Sequence, residues 1–397
     1  MKIFSALLLA YLLSQFFRSF LAVIAPELRA DLGLDAADLG NVSAAWFAGF
    51  AIAQFPIGAA LDRFGPRRTV SLVMLAAATG AGLFATATSA AACIAAMTLI
   101  GVGCGPVLMG ALYYFGRVLP AARFAMMTAW FLAIGSLGNL LSATPLALAA
   151  REFGWRTTFL GVAAATLVTT IIIYLVVRDP PRAVKPAGAK SGRSGLADVL
   201  AIKALWPMLP LVLVSYAVVA AERGLWLGPY LVQVHALDAV ERGNAALAMS
   251  LAMSAGALAY GPLEQWLGAR KALVAIGSLV TSGSFLALAL IPDLDSFGSI
   301  ALLTVIGFSG LTYGVLMGHG RQFMPDHLLG RGITLLNFLF MSGAVALQVG
   351  TGQMVAAMTA ASAPPATAFS MLHMVFGGLL AATALMYLAT PEKPPVR

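Results

Sequence analysis

Charged side chains are scarce in this sequence. They make up 10% of its 397 residues, while 60% are hydrophobic and the mean hydropathy is +0.90. A soluble domain has about 25% charged residues and about 45–50% apolar ones. This chain therefore has too little charge to cover a globular surface in water. The composition excludes an ordinary soluble protein and indicates one that is embedded in a membrane.

Cysteine is scarcer still, with two residues in the whole chain. Cys93 and Cys104 fall within one apolar run, about 16 Å apart along a helix, which is too far for them to bridge each other. The sequence also shows no pairing of a nucleophile with histidine, no phosphate-binding loop, no metal-ligand spacing and no soluble domain of any size. We therefore expect no enzymatic activity, no cofactor and no metal site.

Long apolar runs are what the sequence has in abundance. A run of 18 or more residues can cross about 30 Å of hydrocarbon as a helix. The first, from about Phe4 to Ala25, is too long for the core of a signal peptide and leads into an acidic loop, so we predict a first span there. The sequence predicts an all-α membrane protein with twelve spans, near residues 4–26, 39–61, 69–88, 90–115, 124–148, 157–177, 206–232, 243–264, 271–291, 298–320, 332–356 and 368–389.

A segment rich in Pro, Gly, Lys and Arg separates the first six spans from the last six. That composition is typical of a linker. We predict an N-terminal six-helix bundle over residues 1–177, a cytoplasmic linker over 178–205, and a C-terminal six-helix bundle with a short cytoplasmic tail over 206–397.

Positive charge is distributed unevenly between the two ends of the predicted spans. Most of the 24 Lys and Arg residues fall on the side of the linker, and the opposite side holds only Arg29, Arg151, Arg156 and Arg242. Because cytoplasmic loops carry an excess of Lys and Arg, we expect a multi-pass protein of the plasma membrane with both termini cytoplasmic. This bias explains the net charge of +8 without a nucleic-acid partner. The Ala-rich chain with short loops suggests a bacterial inner membrane.

The two halves of the sequence repeat each other. At a displacement of 203 residues, LDAADLGN at 34–41 falls on LDAVERGN at 237–244, and Pro26 falls on Pro229. In the same register Gly58, Gly65, Arg67 and Arg68 fall on Gly261, Gly268, Arg270 and Lys271. The repeat indicates duplication of a six-span unit. Parallel repeats of this kind occur in a class of transporter that binds its substrate near the membrane midplane between the halves.

The segment GAALDRFGPRR at 58–68 resembles the loop between the second and third spans of the major facilitator superfamily, usually written G-x-L-a-D-r-x-G-r-r. The matching residues are Gly58, Asp62, Arg63, Gly65 and Arg67, while Ala60 and Pro66 depart from the pattern. The resemblance implies the twelve-helix fold of that family, transport by alternating access and a monomer. It also implies that the matching residues latch the cytoplasmic ends of the two halves. They could instead only fix the topology.

Two arginines are predicted inside spans, at similar depths. Arg18 lies eight residues before Pro26 in span 1, and Arg223 lies six residues before Pro229 in span 7. A charge costs about 2.5–3.5 kcal/mol or more at the centre of a membrane helix and therefore signals function. Two guanidinium groups facing one cavity could clamp a carboxylate or a phosphate. Some organic-anion carriers of the superfamily resemble this arrangement. The arginines could instead bond to buried carbonyls or extend to the membrane interface.

Glu222 stands next to Arg223 and falls clearly inside span 7. It is a candidate proton-coupling site or the counter-ion of an arginine. Gln15, Tyr11 and Asn337 are further candidates for substrate binding, although each could as easily bond to a neighbouring helix. His319 and His373 have no metal-ligand company, so we expect them to be packing residues or weak candidates for a cavity.

The sequence therefore favours a secondary transporter of a small organic anion, either a carboxylate or an organic phosphate, in the lipid bilayer. The coupling ion stays open between a proton, sodium and a counter-anion. One alternative is proton-driven efflux of apolar or drug-like compounds, although Gly135, Gly138 and Pro145 do not reproduce the span 5 pattern of such antiporters. The alternative from another class is a non-transporting assembly factor of the same fold.

Overall fold

The computed structural model describes residues 2–180, 199–291, 294–325 and 328–392, and within these ranges it contains helices and no strand. The predicted all-α class is confirmed. The helices of the first half are Lys2–Ser19 and Leu21–Leu32 (span 1), Ala36–Ala85 (spans 2 and 3), Ala90–Val118 (span 4), Ala121–Gly135, Leu137–Leu141 and Thr144–Phe153 (span 5), and Trp155–Val176 (span 6).

The second half begins with a 3-10 helix, Lys203–Met208, which is followed directly by the first α-helix of span 7. Its remaining helices are Leu209–Ala221, the π-helical turn Glu222–Trp226 and Leu227–His235 (span 7), Ala239–Leu267 (span 8), Arg270–Leu290 (span 9), Ser296–Ser309 and Tyr313–Arg321 (span 10), Leu329–Ala360 (span 11), and Pro365–Tyr387 (span 12).

The described helices account for the twelve predicted spans. Ten helical segments are long and apolar enough to cross a membrane, and the bent span 1 makes an eleventh. The twelfth comes from Ala36–Ala85, whose 50 residues would measure about 75 Å as one straight helix. Its backbone breaks at Gly65, which has φ 80° and ψ 168°, so this segment crosses twice.

The chain divides into two compact units that do not follow the midpoint of the sequence. The first unit comprises Met1–Val184, Gly224–Val232 and Leu237–Leu247. The second comprises Lys185–Arg223, Gln233–Ala236 and Ala248–Arg397. Most of the predicted linker lies outside the described residues, so the predicted boundaries at 177 and 206 stay predictions.

Small residues allow close packing of helices in the first unit. A Cβ atom on Gly101 would collide with the backbone of Trp46, and one on Gly138 would collide with the carbonyl oxygen of Leu12. Gly135 similarly makes room for the ring of Tyr11. Glycine is enriched at membrane helix contacts for this reason. These contacts join span 4 to span 2 and span 5 to span 1.

The sequence repeat has a counterpart in the caps of two helices. At the start of span 2, Asp35 Oδ1 accepts a hydrogen bond from the N–H of Asp38 at 2.7 Å, and Asp38 accepts one from the N–H of Asp35. At the start of span 8, Asp238 Oδ1 accepts from the N–H of Glu241 at 2.8 Å, and Glu241 accepts from the N–H of Asp238. Both are reciprocal capping boxes. The hydrogen bond from Glu241 lowers the pKa of Asp238, so this cap is lost only in acid.

The repeat also appears in the backbone angles. Gly33 and Ala236, which end spans 1 and 7, have φ angles of 65° and 55°. Gly65 and Gly268, in the turns that follow spans 2 and 8, have φ angles of 80° and 61°. Both pairs are 203 residues apart in the sequence. The two halves therefore turn in the left-handed region at corresponding places, as a duplication predicts.

The turn that follows span 2 is bound to the end of span 6. Asp179 Oδ1 accepts a hydrogen bond from the backbone N–H of Arg67 at 2.8 Å. The Nε of Arg67 donates to the carbonyl oxygen of Tyr174 at 2.7 Å, and its guanidinium lies 4.5 Å from the centroid of the Tyr174 ring. A Cβ atom on Gly65 would collide with the Asp179 carboxylate. Glycine is therefore required at position 65 both for its φ angle and for the space.

We expect Gly65→Ala to lower the unfolding temperature of the purified protein. The backbone angles of Gly65 cost a residue with a side chain on the order of 1–3 kcal/mol, and the new methyl group would also displace Asp179. The control is Gly82→Ala in the helical part of span 3, where an added Cβ meets nothing within 4 Å. That change should keep or raise stability, by up to about 1 kcal/mol. Equal unfolding temperatures for the two variants would contradict this role for Gly65.

Candidate functional site

Span 1 bends by 53° between its two helices. The bend follows Ser19, whose hydroxyl lies 3.1 Å from Asn139 Oδ1 and 2.9 Å from Ser142 Oγ. Both partners belong to the interrupted part of span 5. Irregular backbone is tolerated in a membrane where neighbouring helices satisfy its polar groups. The bend in span 1 is therefore held by side chains from a second broken span.

Span 7 is interrupted by the π-helical turn Glu222–Trp226. A π-helical turn inside an α-helix often marks a functional site. The turn contains Arg223, while Arg18 lies in the last turn before the bend of span 1. Each of the two predicted intramembrane arginines therefore lies at a break in its helix.

Two aromatic rings of span 2 support the charge of Arg18. Its guanidinium carbon lies 5.2 Å from the ring centroid of Trp46 and 5.6 Å from that of Phe50. The two rings stack on each other with their centroids 5.2 Å apart. A cation–π contact is worth about 0.5–2 kcal/mol and leaves the positive charge intact. Arg18, which is only half-buried, can therefore meet an anion as a cation.

Gln15 and Tyr11 lie on the same helix as Arg18 but differ in their surroundings. Gln15 is buried, and its side-chain oxygen accepts no hydrogen bond from any residue within the described ranges. A buried polar group of this kind calls for a partner. The ring of Tyr11 stacks on Phe131 at 5.0 Å and fills the space beside Gly135. Tyr11 is therefore held mainly by packing, and Gln15 is the stronger candidate for ligand binding.

Asn337 belongs to an aromatic cluster in the second unit. The hydroxyl of Tyr313 donates a hydrogen bond to Asn337 Oδ1 at 3.1 Å. The ring of Tyr313 lies 4.5 Å from Phe340, and that of Tyr216 lies 6.4 Å from both. This cluster orients the amide of Asn337.

The π-helical turn sends its two ionisable side chains to different helices. Arg223 is 3% exposed, and its Nε donates a hydrogen bond to Ser250 Oγ on span 8 at 2.8 Å. The Oε2 atom of Glu222 lies 3.4 Å from His373 Nε2 on span 12, and both side chains are fully buried. The sequence does not predict this pairing, because the two residues are far apart in the chain and carry no local motif.

His319, the other histidine considered in the sequence, has a packing role. It is fully buried, and its Nδ1 lies 2.6 Å from the hydroxyl of Tyr387, while Nε2 lies 3.3 Å from the carbonyl oxygen of Pro391. These contacts join span 10 to the end of span 12.

Gly58, Asp62 and Arg63 are exposed in the segment predicted to form a latch. The guanidinium of Arg63 lies 5.1 Å from the ring of Phe64, and Arg67 binds the end of span 6 as described above. These contacts are all made within the first unit, so the latch itself stays a prediction.

Arg242 and Arg156 form ion pairs, which the sequence does not predict. Arg242 is buried and donates from a terminal guanidinium nitrogen to Glu27 Oε1 at 2.6 Å. Arg156 lies 2.9 Å from Asp31 Oδ2. Both carboxylates follow the Pro26 turn of span 1, so these pairs hold the end of span 1 within the first unit.

The last part of span 7 packs tightly against span 1, within the first unit. Pro26 has no N–H to donate to the carbonyl four residues earlier, which is that of Ala22. This oxygen faces Gly228, where an added Cβ atom would collide with it. A Cβ atom on Gly224 would lie 3.4 Å from the carbonyl oxygen of Arg18, at ordinary contact distance.

Comparison with known proteins shows the family to which the chain belongs. The model of the Major Facilitator Superfamily matches residues 7–347. A hexuronate transporter of Bacillus subtilis (strain 168) is 25% identical over 176 residues, which cover 44% of this chain and 42% of that protein. A putative tartrate transporter of Agrobacterium vitis is 25% identical over 265 residues, which cover 61% of this chain and 59% of that protein. The alignments thus span about half the length of these relatives.

Solved structures share the fold. The crystal structure of a D-xylose-proton symporter matches with a TM-score of 0.80 and 15% identity, covering 100% of this chain and 99% of that chain. At this level of identity the likeness shows the fold alone.

We expect Gly228→Ala to lower the unfolding temperature, because the new methyl group would push span 7 away from the Ala22 carbonyl. Gly224→Ala is the matched control in the same span, since its methyl group would meet only an ordinary contact. A cost of about 1–3 kcal/mol is typical of overpacking. If both variants unfold at the wild-type temperature, spans 1 and 7 do not pack as closely at Gly228 as described here.

Proposed function

Because the chain belongs to the Major Facilitator Superfamily, we propose that it is a secondary transporter that moves a small organic anion across the membrane by alternating access. The observation that carries this proposal is Arg18, a half-buried cation held by two aromatic rings beside a break in span 1. Two relatives, a hexuronate transporter and a putative tartrate transporter, support a carboxylate as the anion.

Arg18 is the first candidate for binding the carboxylate. A guanidinium donates two parallel hydrogen bonds to a carboxylate, which gives both charge and orientation. Gln15, one turn earlier on the same helix, can donate from its amide to a hydroxyl or carboxylate oxygen of the same ligand. Arg223 and Asn337, which belong to the second unit, are the further candidates for substrate binding.

The charge of Arg18 also argues against the two alternatives. An exporter of apolar compounds gains nothing from a guanidinium at membrane depth, which is costly to place there. An assembly factor needs no break in span 1 to hold a cation. Neither alternative is favoured by the two relatives described above, which are named as hexuronate and tartrate transporters.

The membrane orientation follows from the distribution of positive charge. We place the turns that contain Arg67, Arg117, Arg270 and Arg321 in the cytoplasm, because these are the Lys- and Arg-rich connections. We propose that the protein lies in this orientation in the plasma membrane, specifically the inner membrane of a bacterium, as a monomer.

Asp62 and Arg63 are exposed at the turn between spans 2 and 3 and match the loop pattern of the family. We propose that they hold one end of the substrate path closed in the outward-facing state. The attachment of Arg67 to span 6 positions the turn for this role.

We expect tartrate or galacturonate to raise the unfolding temperature of the wild type, and Arg18→Ala to abolish this shift. A ligand at about 100 times its Kd stabilises the folded state by about 2.7 kcal/mol. Arg223→Ala should weaken the shift, whereas Arg68→Ala, which removes an exposed arginine, should leave it unchanged. A shift that persists in Arg18→Ala would contradict the role of this residue.

We expect Asp62→Asn to slow transport into proteoliposomes while leaving ligand binding unchanged. If the latch stabilises the outward-facing state by about 1.4 kcal/mol, its loss changes the equilibrium constant between the outward-facing and inward-facing states about tenfold. Glu152→Gln is the control, because it neutralises an exposed carboxylate elsewhere in the first half. Equal transport rates for Asp62→Asn and the control would show that the turn fixes topology only.

A further inference from the structure

We infer that Glu222 and His373 form a proton-binding pair that couples transport of the anion to movement of a proton. This inference rests on the proposed function and adds to it the coupling ion and the residues that carry it.

The geometry places a carboxylate and an imidazole together at membrane depth. Glu222 Oε2 lies 3.4 Å from His373 Nε2, and neither side chain has any exposed surface. Glu222 belongs to span 7 and His373 to span 12, both of which are long and apolar enough to cross a membrane. Ionisable groups inside spans commonly serve as proton relays in transporters.

Burial leaves Glu222 in need of a partner. Neither of its oxygens accepts a hydrogen bond from a residue that the structure describes. A buried carboxylate is stable when it is paired or when it takes up a proton. The imidazole of His373 is near enough to share that proton. Protonation is therefore the simplest way to satisfy this carboxylate.

The charge of the pair changes by one unit with each proton. With one proton, the pair is neutral overall, whichever of the two residues holds it. Without that proton it carries one negative charge, which attracts the neighbouring Arg223 and competes with a substrate anion for it. Uptake of the proton removes this competition. Proton binding and anion binding therefore favour each other, which is the condition for symport.

The π-helical turn explains how consecutive residues can serve two purposes. Glu222 is directed at span 12, and Arg223 is directed at span 8, where it bonds to Ser250. The proton site and the candidate anion site are therefore adjacent in the chain but face different helices. A shift in this short turn would move both side chains together.

An aromatic ring lies against the imidazole of the pair. The ring of Phe285 on span 9 stacks on His373 with centroids 6.0 Å apart, and it covers the imidazole with an apolar surface. Besides the adjacent Arg223, the titratable or charged residues of this unit's spans whose side chains the structure describes are Lys203, Tyr216 and His235 (span 7), Tyr260 and Glu264 (span 8), Arg270 and Lys271 (span 9), Tyr313, His319 and Arg321 (span 10), and Tyr387 (span 12).

The test uses purified full-length protein in proteoliposomes with labelled tartrate or galacturonate. Two assays are compared: counterflow, in which substrate exchanges without net proton movement, and accumulation driven by a pH gradient. A gradient of one pH unit is worth about 1.36 kcal/mol per proton. Each coupled proton therefore sustains up to about tenfold accumulation of the substrate for each pH unit.

We expect Glu222→Gln and His373→Gln to retain counterflow and to lose accumulation. Glu222→Asp, which keeps the acid, should retain accumulation with a shifted pH profile. His319→Gln is the matched control, because it changes another fully buried histidine of the same unit, and it should retain both activities. Accumulation that survives in Glu222→Gln would overturn the inference, as would wild-type accumulation driven by sodium and not by a pH gradient.

A second measurement separates this inference from the proposed function. Infrared difference spectra of the protein without substrate, recorded between about pH 5 and pH 8, report protonation of a buried carboxylic acid or of an imidazole. The carbonyl band of the acid or the band of the imidazolium should be present in the wild type and His319→Gln and absent in Glu222→Gln. A band unchanged in Glu222→Gln, or no band in the wild type, refutes the proton site. Absence of wild-type counterflow with any carboxylate refutes the proposed function instead.

Discussion

The cost of holding a charge at membrane depth is the constraint on which the rest of this structure depends. A helix that is regular throughout satisfies its own backbone and offers nothing to a buried cation or carboxylate. Here the charges occur where helices are interrupted: Arg18 beside the bend of span 1, and Glu222 and Arg223 in the π-helical turn of span 7. Each charged residue has a specific neighbour. Arg18 lies against the stacked rings of Trp46 and Phe50. Glu222 lies beside His373, and Arg223 bonds to Ser250.

The duplicated fold provides a common frame in which these charges differ between the halves. The capping boxes of Asp35 and Asp238 and the left-handed turns at Gly65 and Gly268 are the same in both halves. The charged residues are not. Arg18 and Arg223 lie on corresponding spans but not at corresponding positions, and the Glu222–His373 pair belongs to the second half alone. The repeated features therefore set the backbone, and the unrepeated ones carry the chemistry that we propose.

Much of the fold could be predicted from the sequence because the signals are local. Apolar runs and the repeat of 203 residues can be recognised in the sequence itself, and the structure confirms the helices that the runs predict and shows matching caps and turns in the two halves. The breaks were not predicted: the bend after Ser19 depends on Asn139 and Ser142, which are remote in the chain. The hydrogen bond between Arg67 and Asp179 and the contact between Glu222 and His373 were not predicted either, because these partners are also remote in the chain. Contacts of this kind depend on which helices pack together, and a single sequence contains no signal for them.

Binding of galacturonate and of galactose to the purified protein, measured by calorimetry, tests the central claim most directly. The two sugars differ in whether carbon 6 is a carboxylate or an alcohol, so the comparison isolates the charge. If Arg18 forms an anion site, galacturonate binds and galactose does not, and added salt weakens the binding. Equal binding of the two sugars, or binding of galactose alone, would contradict the account.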